Sequence, residues 1–186
     1  MNNIRLAEEK DILYIKKLVD ENISADYFSS DFIKNIINEK DSFLYVFTDE
    51  EIPVAMIYCT IKSLEEACAL SHIPLTDSEI CNYDRNDKVL LYKTTCTDDR
   101  YRQNGILNQF MDEVICATKG LDYKFSIVLA LELPDGIIPA DKALVRSGFI
   151  RKSKVITPWI NIKSYCNYCD NEYCRCNGVM YIRRRD

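Results

Sequence analysis

Val89-Leu90-Leu91-Tyr92-Lys93-Thr94-Thr95, followed shortly by Arg102-Gln103-Asn104-Gly105-Ile106-Leu107, decides how this chain is read. The first stretch is apolar and β-branched, the composition of a strand. After the second come Phe110, Met111, Val114 and Ile115, which continue Ile106 and Leu107 at the spacing of a helix face. A strand, a tight turn holding one glycine, and a helix opening at that glycine make an anion site. The first N–H groups of such a helix lack internal partners and stand at the positive end of its dipole. A phosphate or pyrophosphate fits there without a basic side chain.

The rest of the chain builds an ordinary globular domain around this unit. At 186 residues, 47% hydrophobic and 28% charged, it suits one domain with a sizeable core. No apolar run is long enough for a membrane span, and the start, Met1-Asn2-Asn3-Ile4-Arg5, has no secretory pattern. A cytoplasmic protein without a membrane partner is expected. A net charge of −5 argues against nucleic acid, and Arg183-Arg184-Arg185 reads as the solvated end of a last strand. Nine cysteines in such a protein are thiols, with Cys59 and Cys116 expected in the core.

Ile4-Arg5-Leu6 reads as a first strand. Asp11 is expected to cap a helix with the stripe Ile12, Ile15, Leu18 and Val19, and Ser30 or Asp31 to cap a second. Phe43–Phe47 and Val54–Thr60 form a hairpin, and a short helix is expected near Leu64–Leu70. Phe125–Leu133 is apolar enough for a strand buried on both faces. Pro139 opens a further helix that Gly148 ends. Val155–Ile162 and Val179–Arg183 are read as the last two strands. The order predicts an α/β fold with a mixed sheet in one domain, residues 1–186, carrying a cysteine-rich loop at 164–178 between those strands.

This order, with two motifs, resembles the GNAT superfamily of acyl-CoA-dependent N-acyltransferases. Thr97-Asp98-Asp99-Arg100-Tyr101-Arg102-Gln103-Asn104-Gly105-Ile106-Leu107 looks like that family's pyrophosphate loop. Ala143-Leu144-Val145-Arg146-Ser147-Gly148-Phe149 is similar to its helix ending in a small residue, Gly and Phe. The resemblance implies acetyl-CoA as cosubstrate and an amine as acceptor, in a monomer or homodimer. It implicates the backbone of Thr95, Cys96 and Thr97 toward the pantetheine arm, and the amides of Gln103, Asn104, Gly105, Ile106 and Leu107 toward the pyrophosphate. Two departures stand out. Leu107 replaces a small residue, so its side chain must turn into the core. Leu144 replaces a tyrosine that in many relatives protonates the departing thiolate.

Acyl transfer to an amine requires that the thioester be held, the ammonium lose a proton and the oxyanion be steadied. Arg102 reads either as a phosphate contact or as a surface arginine, and Asn108 as a phosphate ligand or a water-facing residue. Glu132, near the carboxyl end of its strand, is the candidate base if burial raises its pKa, and otherwise a salt-bridged strand end. Cys96 has no nearby histidine, which speaks against an acyl-cysteine. Cys166-x2-Cys169-x4-Cys174-x-Cys176 suits a tetrahedral metal, Zn2+ above all, against the alternative of unliganded loop thiols. Two functions follow. One is an acetyl-CoA-dependent N-acetyltransferase. The other is a catalytically weak or inactive acyl-CoA-binding or interaction module with a zinc knuckle, kept open by Leu144 and the cysteines.

Overall fold

The computed structural model describes residues 3–102, 105–166, 168–169 and 171–185. A seven-stranded mixed sheet runs in the order β1-β2-β3-β4-β5-β9-β6, and a separate pair joins β7 to β8. Its strands are β1 (Asn3–Leu6), β2 (Ser42–Asp49), β3 (Ile52–Ser63), β4 (Lys88–Thr97), β5 (Phe125–Glu132), β6 (Ile150–Val155), β7 (Lys163–Cys166), β8 (Asn171–Tyr173) and β9 (Asn177–Arg184). The helices are α1 (Ile12–Asn22), α2 (Ser30–Asn38), α3 (Leu64–Ser71), α4 (Ile106–Thr118) and α5 (Asp141–Arg146). The single-domain α/β architecture expected from the pattern is present. Among the described residues no helix is long and apolar enough to cross a membrane.

Strand alternation sorts the core onto two faces. Leu90, Tyr92, Val128 and Ala130 point to the face covered by Phe110, Met111 and Val114 of α4 and Leu144 of α5. Val89, Leu91, Phe125 and Ile127 point the other way, under Leu64, Ala67 and Cys68 of α3. The same second face receives Ile15, Leu18 and Val19 of α1 and Ile33 and Ile36 of α2, packed on Leu44, Val46 and Met56. Thus α1, α2 and α3 share one face, and α4 and α5 the other. The β2–β3 hairpin closes through Glu50 and Glu51, both at positive φ (47° and 68°), a geometry whose twist suits a tight hairpin.

Several local expectations are corrected. Asp11 does not cap α1 with its side chain. It is buried, accepting two bonds from Arg5 (2.6 and 3.0 Å) and one from the Glu8 amide (2.8 Å). Ser29, not Ser30 or Asp31, caps α2 by accepting from the Phe32 amide. The strand placed at Val155–Ile162 lies earlier, at Ile150–Val155. Pro158 and the positive φ of Thr157 (41°) turn the chain away there. Cys59 is buried as expected, but Cys116 is exposed.

Candidate active site

The site follows from how β4 and β5 meet. They are parallel neighbours, paired only from Val89↔Phe125 to Tyr92↔Val128. Beyond that point β4 stays paired to β3 through Thr94–Thr97, and β5 to β9 through Leu129–Glu132. Their facing edges therefore separate and leave a wedge-shaped slot at the carboxyl ends of both strands, where open α/β sheets place ligands. Among the described residues, the facing edges of β4 and β5 have no strand partner along the slot, which suits an amide-bearing linear ligand.

The register of β4 against β3 shifts between Tyr58 and Cys59, leaving Lys93 as the extra residue of a bulge. Lys93 stands at the head of the slot. Its ammonium donates to the Leu70 carbonyl at the end of α3, so its side chain lies on the α1–α3 face. Burial lowers its pKa from the ordinary lysine value. Sequence reasoning passed over this residue. The available signal was a cation inside an otherwise apolar strand run.

Past β4 the chain makes a short 3-10 turn, Asp99–Tyr101, held from both sides. Asp98 accepts from the Arg100 amide (3.0 Å) and from its guanidinium (2.6 and 3.0 Å), bonds that pull its carboxyl down to about 2. Tyr101 donates to Asp49 at the β2–β3 turn (2.7 Å). Gly105 then initiates α4 at φ 75°, with no side-chain cap on the helix. Among the described residues, a Cβ on Gly105 would meet nothing within 4 Å. Leu107 packs against the α4-face core as its bulk requires.

The other residues implicated by the resemblance divide as follows. Thr95, Cys96 and Thr97 lie on β4 beside the slot. Cys96 is buried, donates to the Leu18 carbonyl (3.5 Å) and has its thiol pushed up to about 12 by burial, which removes it as a nucleophile. Arg102 is exposed, and its guanidinium donates to the Thr97 carbonyl (3.1 Å) and to Asn22 (2.7 Å), bracing the turn against α1. Asn108 is half-buried in the first turn of α4. Gln103 and Asn104 lie outside the described residues.

Glu132 ends β5 on the α4–α5 face, two residues beyond Ala130. It is buried and ion-paired with Lys154, lies 3.8 Å from Arg151 and accepts from Asn177 at 3.2 Å. The Lys154 bond outweighs burial, so its carboxyl lies below the ordinary glutamate value, not above it as expected for a strand-end base. Leu144 is buried in the core and offers no proton. The four clustered cysteines do converge, with their sulfur atoms within 4.8 Å of one another.

The sequence matches no protein-family model and no curated protein. Solved structures match it along its whole length. Arabidopsis thaliana NAA60 in complex with a bisubstrate analogue aligns with a TM-score of 0.70 and 14% identity, covering 99% of this chain and 98% of that one. The same protein in complex with acetyl-CoA aligns at 0.69 and 13%, with the same coverage. The ribosomal-protein-S18-alanine N-acetyltransferase of Escherichia coli aligns at 0.66 and 10%, covering 100% of this chain and 95% of that one. With its mixed sheet, its splayed β4 and β5 and its glycine-initiated α4, this chain has the fold of the GNAT superfamily of N-acetyltransferases.

Proposed function

We propose that this protein transfers an acetyl group from acetyl-CoA to a primary amine of a small molecule or a protein by direct attack. The observation that carries the reading is the slot between β4 and β5 with an uncapped helix N-terminus directly beyond it. One end suits a pantetheine amide arm and the other a pyrophosphate. In this reading the backbone of Thr95, Cys96 and Thr97 holds the arm. The amides of Gly105, Ile106 and Leu107, with Gln103 and Asn104 before them, cradle the phosphates. Arg102 and Asn108 border that cradle. That one similar structure holds acetyl-CoA and another a bisubstrate analogue supports the same assignment.

The attacking nitrogen must shed a proton, and two titratable groups stand on the strands that border the slot. Glu132, ionised at neutral pH, ends β5, one of the two strands that border the slot, with its carboxylate held by Lys154 and Asn177 of the β6–β9 side. Lys93 stands at the slot's head on the opposite face, and its lowered pKa enlarges the neutral fraction that can accept a proton. The two differ in pH signature. A base with Glu132's depressed pKa loses activity only below the usual carboxylate range, about pH 4. A lysine base gives a rate still climbing on the alkaline side of neutrality.

The test is a panel of small amines and of peptides with free N-termini, following released CoA and the intact mass of the product. A gain of one acetyl group on one amine class is expected. Binding of acetyl-CoA without turnover on any amine would favour the non-catalytic module. Glu132→Gln is expected to lower kcat by a factor of about 100 with little change in acetyl-CoA affinity, within the usual worth of a general base. A Glu132→Gln rate within a few-fold of wild type, beside an inactive Lys93→Met that still binds acetyl-CoA, would transfer the role to Lys93.

A further inference from the structure

The reaction leaves one constellation unused. The segment between β6 and β9 folds into the β7–β8 hairpin, with Cys166 closing β7, Cys169 in the turn, Cys174 just after β8 and Cys176 just before β9. Pairing of Cys166 with Asn171 brings the two arms together around the turn. All four sulfurs fall within 4.8 Å of one another, although the outermost two are separated by a whole hairpin. A tetrahedral ZnS4 centre, with Zn–S of about 2.3 Å, needs sulfur–sulfur separations of roughly 3.8 Å. Contraction by about an ångström at most closes the set around a metal.

One backbone amide also serves the cluster. The Arg175 amide donates to the Cys169 sulfur at 3.5 Å. Amide donors to sulfur are what thiolate ligands require when they leave water, because they spread the negative charge of the centre and fix ligand orientation. Cys176 is buried and the other three are half-buried, so the centre would be shielded yet reachable by metal.

We propose that Cys166, Cys169, Cys174 and Cys176 form a structural Zn2+ site that fastens the β6–β9 connection. Four thiolates fill the coordination sphere and leave no open position, so the metal does not take part in bond making. Its effect is mechanical. Fixing Cys176 fixes its neighbour Asn177, which accepts from the Thr157 amide at 3.3 Å and donates to Glu132 at 3.2 Å. The metal thereby ties both ends of the connection to the end of β5. The proposal does not depend on acetyl transfer.

The full chain, purified without chelator, is expected to carry about one zinc per chain. Cobalt reconstitution should give the intense visible bands of a tetrahedral thiolate centre. The four cluster thiols, in addition to the core thiols Cys59, Cys68 and Cys96, should resist Ellman's reagent until an organomercurial releases the metal. Cys169→Ser should lose the metal and melt at a lower temperature. Cys81→Ser, an exposed thiol outside the cluster, should retain it. Cys174→His should bind cobalt with shifted bands, since imidazole is also a good ligand. Background metal after zinc reconstitution, with all thiols of the wild-type chain reacting equally with or without zinc, would overturn the proposal, whether or not Cys169→Ser folds. Full zinc retention by Cys169→Ser, or two disulfides in the cluster in place of metal, would overturn it as well.

Discussion

Replacing Gly105 with valine is expected to abolish measurable acetyl-CoA binding, a loss of at least about a hundredfold in affinity. Two effects combine. Gly105 sits at φ 75°, where a β-branched residue is strained by roughly 1–2 kcal/mol. Its side chain would also stand at the start of α4, bordering the proposed phosphate site. Calorimetry with acetyl-CoA reads the affinity directly, and a CoA analogue lacking the pyrophosphate should bind wild type about as weakly as the variant. Gly105→Ala separates the two effects, since it carries the strain with less bulk and should fall between. Unchanged binding by Gly105→Val would remove the α4 terminus from the site.

The second large effect is on stability and centres on Asp11. Its carboxylate is almost fully buried, at 2% side-chain exposure, and Arg5 opposite it is only 17% exposed. Deleting one partner of such a pair leaves the other charge without compensation, which costs about 3–5 kcal/mol. That is a large part of the 5–15 kcal/mol typical of a whole domain. Asp11→Ala should therefore shift the urea midpoint strongly at neutral pH, and Arg5→Met/Asp11→Leu should recover part of the loss. Burial alone would raise the Asp11 pKa, but the Arg5 bonds and the Glu8 amide more than reverse it. The folded carboxyl thus lies below its unfolded value, near 3.9. The pair contributes fully above that value, and the contribution disappears as the pH falls through the lower, folded pKa. A variant within about 1 kcal/mol of wild type would mean that the pair does not hold β1 to the start of α1.

How far the sequence could be read depended on whether local pattern or tertiary contact decided each feature. The strand–turn–helix around Gly105 was legible because hydrophobic period and turn chemistry agree there. The hairpin and α3 were legible for the same reason. The position of β6 was not. Ile150-Arg-Lys-Ser-Lys-Val155 has three cations in six residues, and only its place at the sheet edge, with a face to water, makes it an acceptable strand. On composition the apolar Val155–Ile162 run is the more attractive strand, but Pro158 interrupts it. Asp11 resembled a cap in sequence, while its partner Arg5 is brought to it by the β1–β2 pairing. Glu132 shows the limit at the site itself. Its place at a strand end could be read, but not that Lys154 and Arg151, from an edge strand distant in sequence, would hold its charge. Lys93 was missed because the bulge that isolates it depends on the register with β3.

The short pairing of β4 with β5 has a further consequence. Among the described residues it is the only parallel pairing in the sheet, and it joins an antiparallel unit of β1–β4 to another of β5, β9 and β6. The sheet is thus two ribbons stitched along a seam four residue pairs long. A rod-like ligand lying in the opening below the stitch would bond to both ribbons and lengthen the seam without adding a strand. Occupancy would then be felt as cohesion. At a concentration a hundred times its dissociation constant, such a ligand adds about 2.7 kcal/mol to the folded state. The cosubstrate would in this sense complete the sheet that binds it.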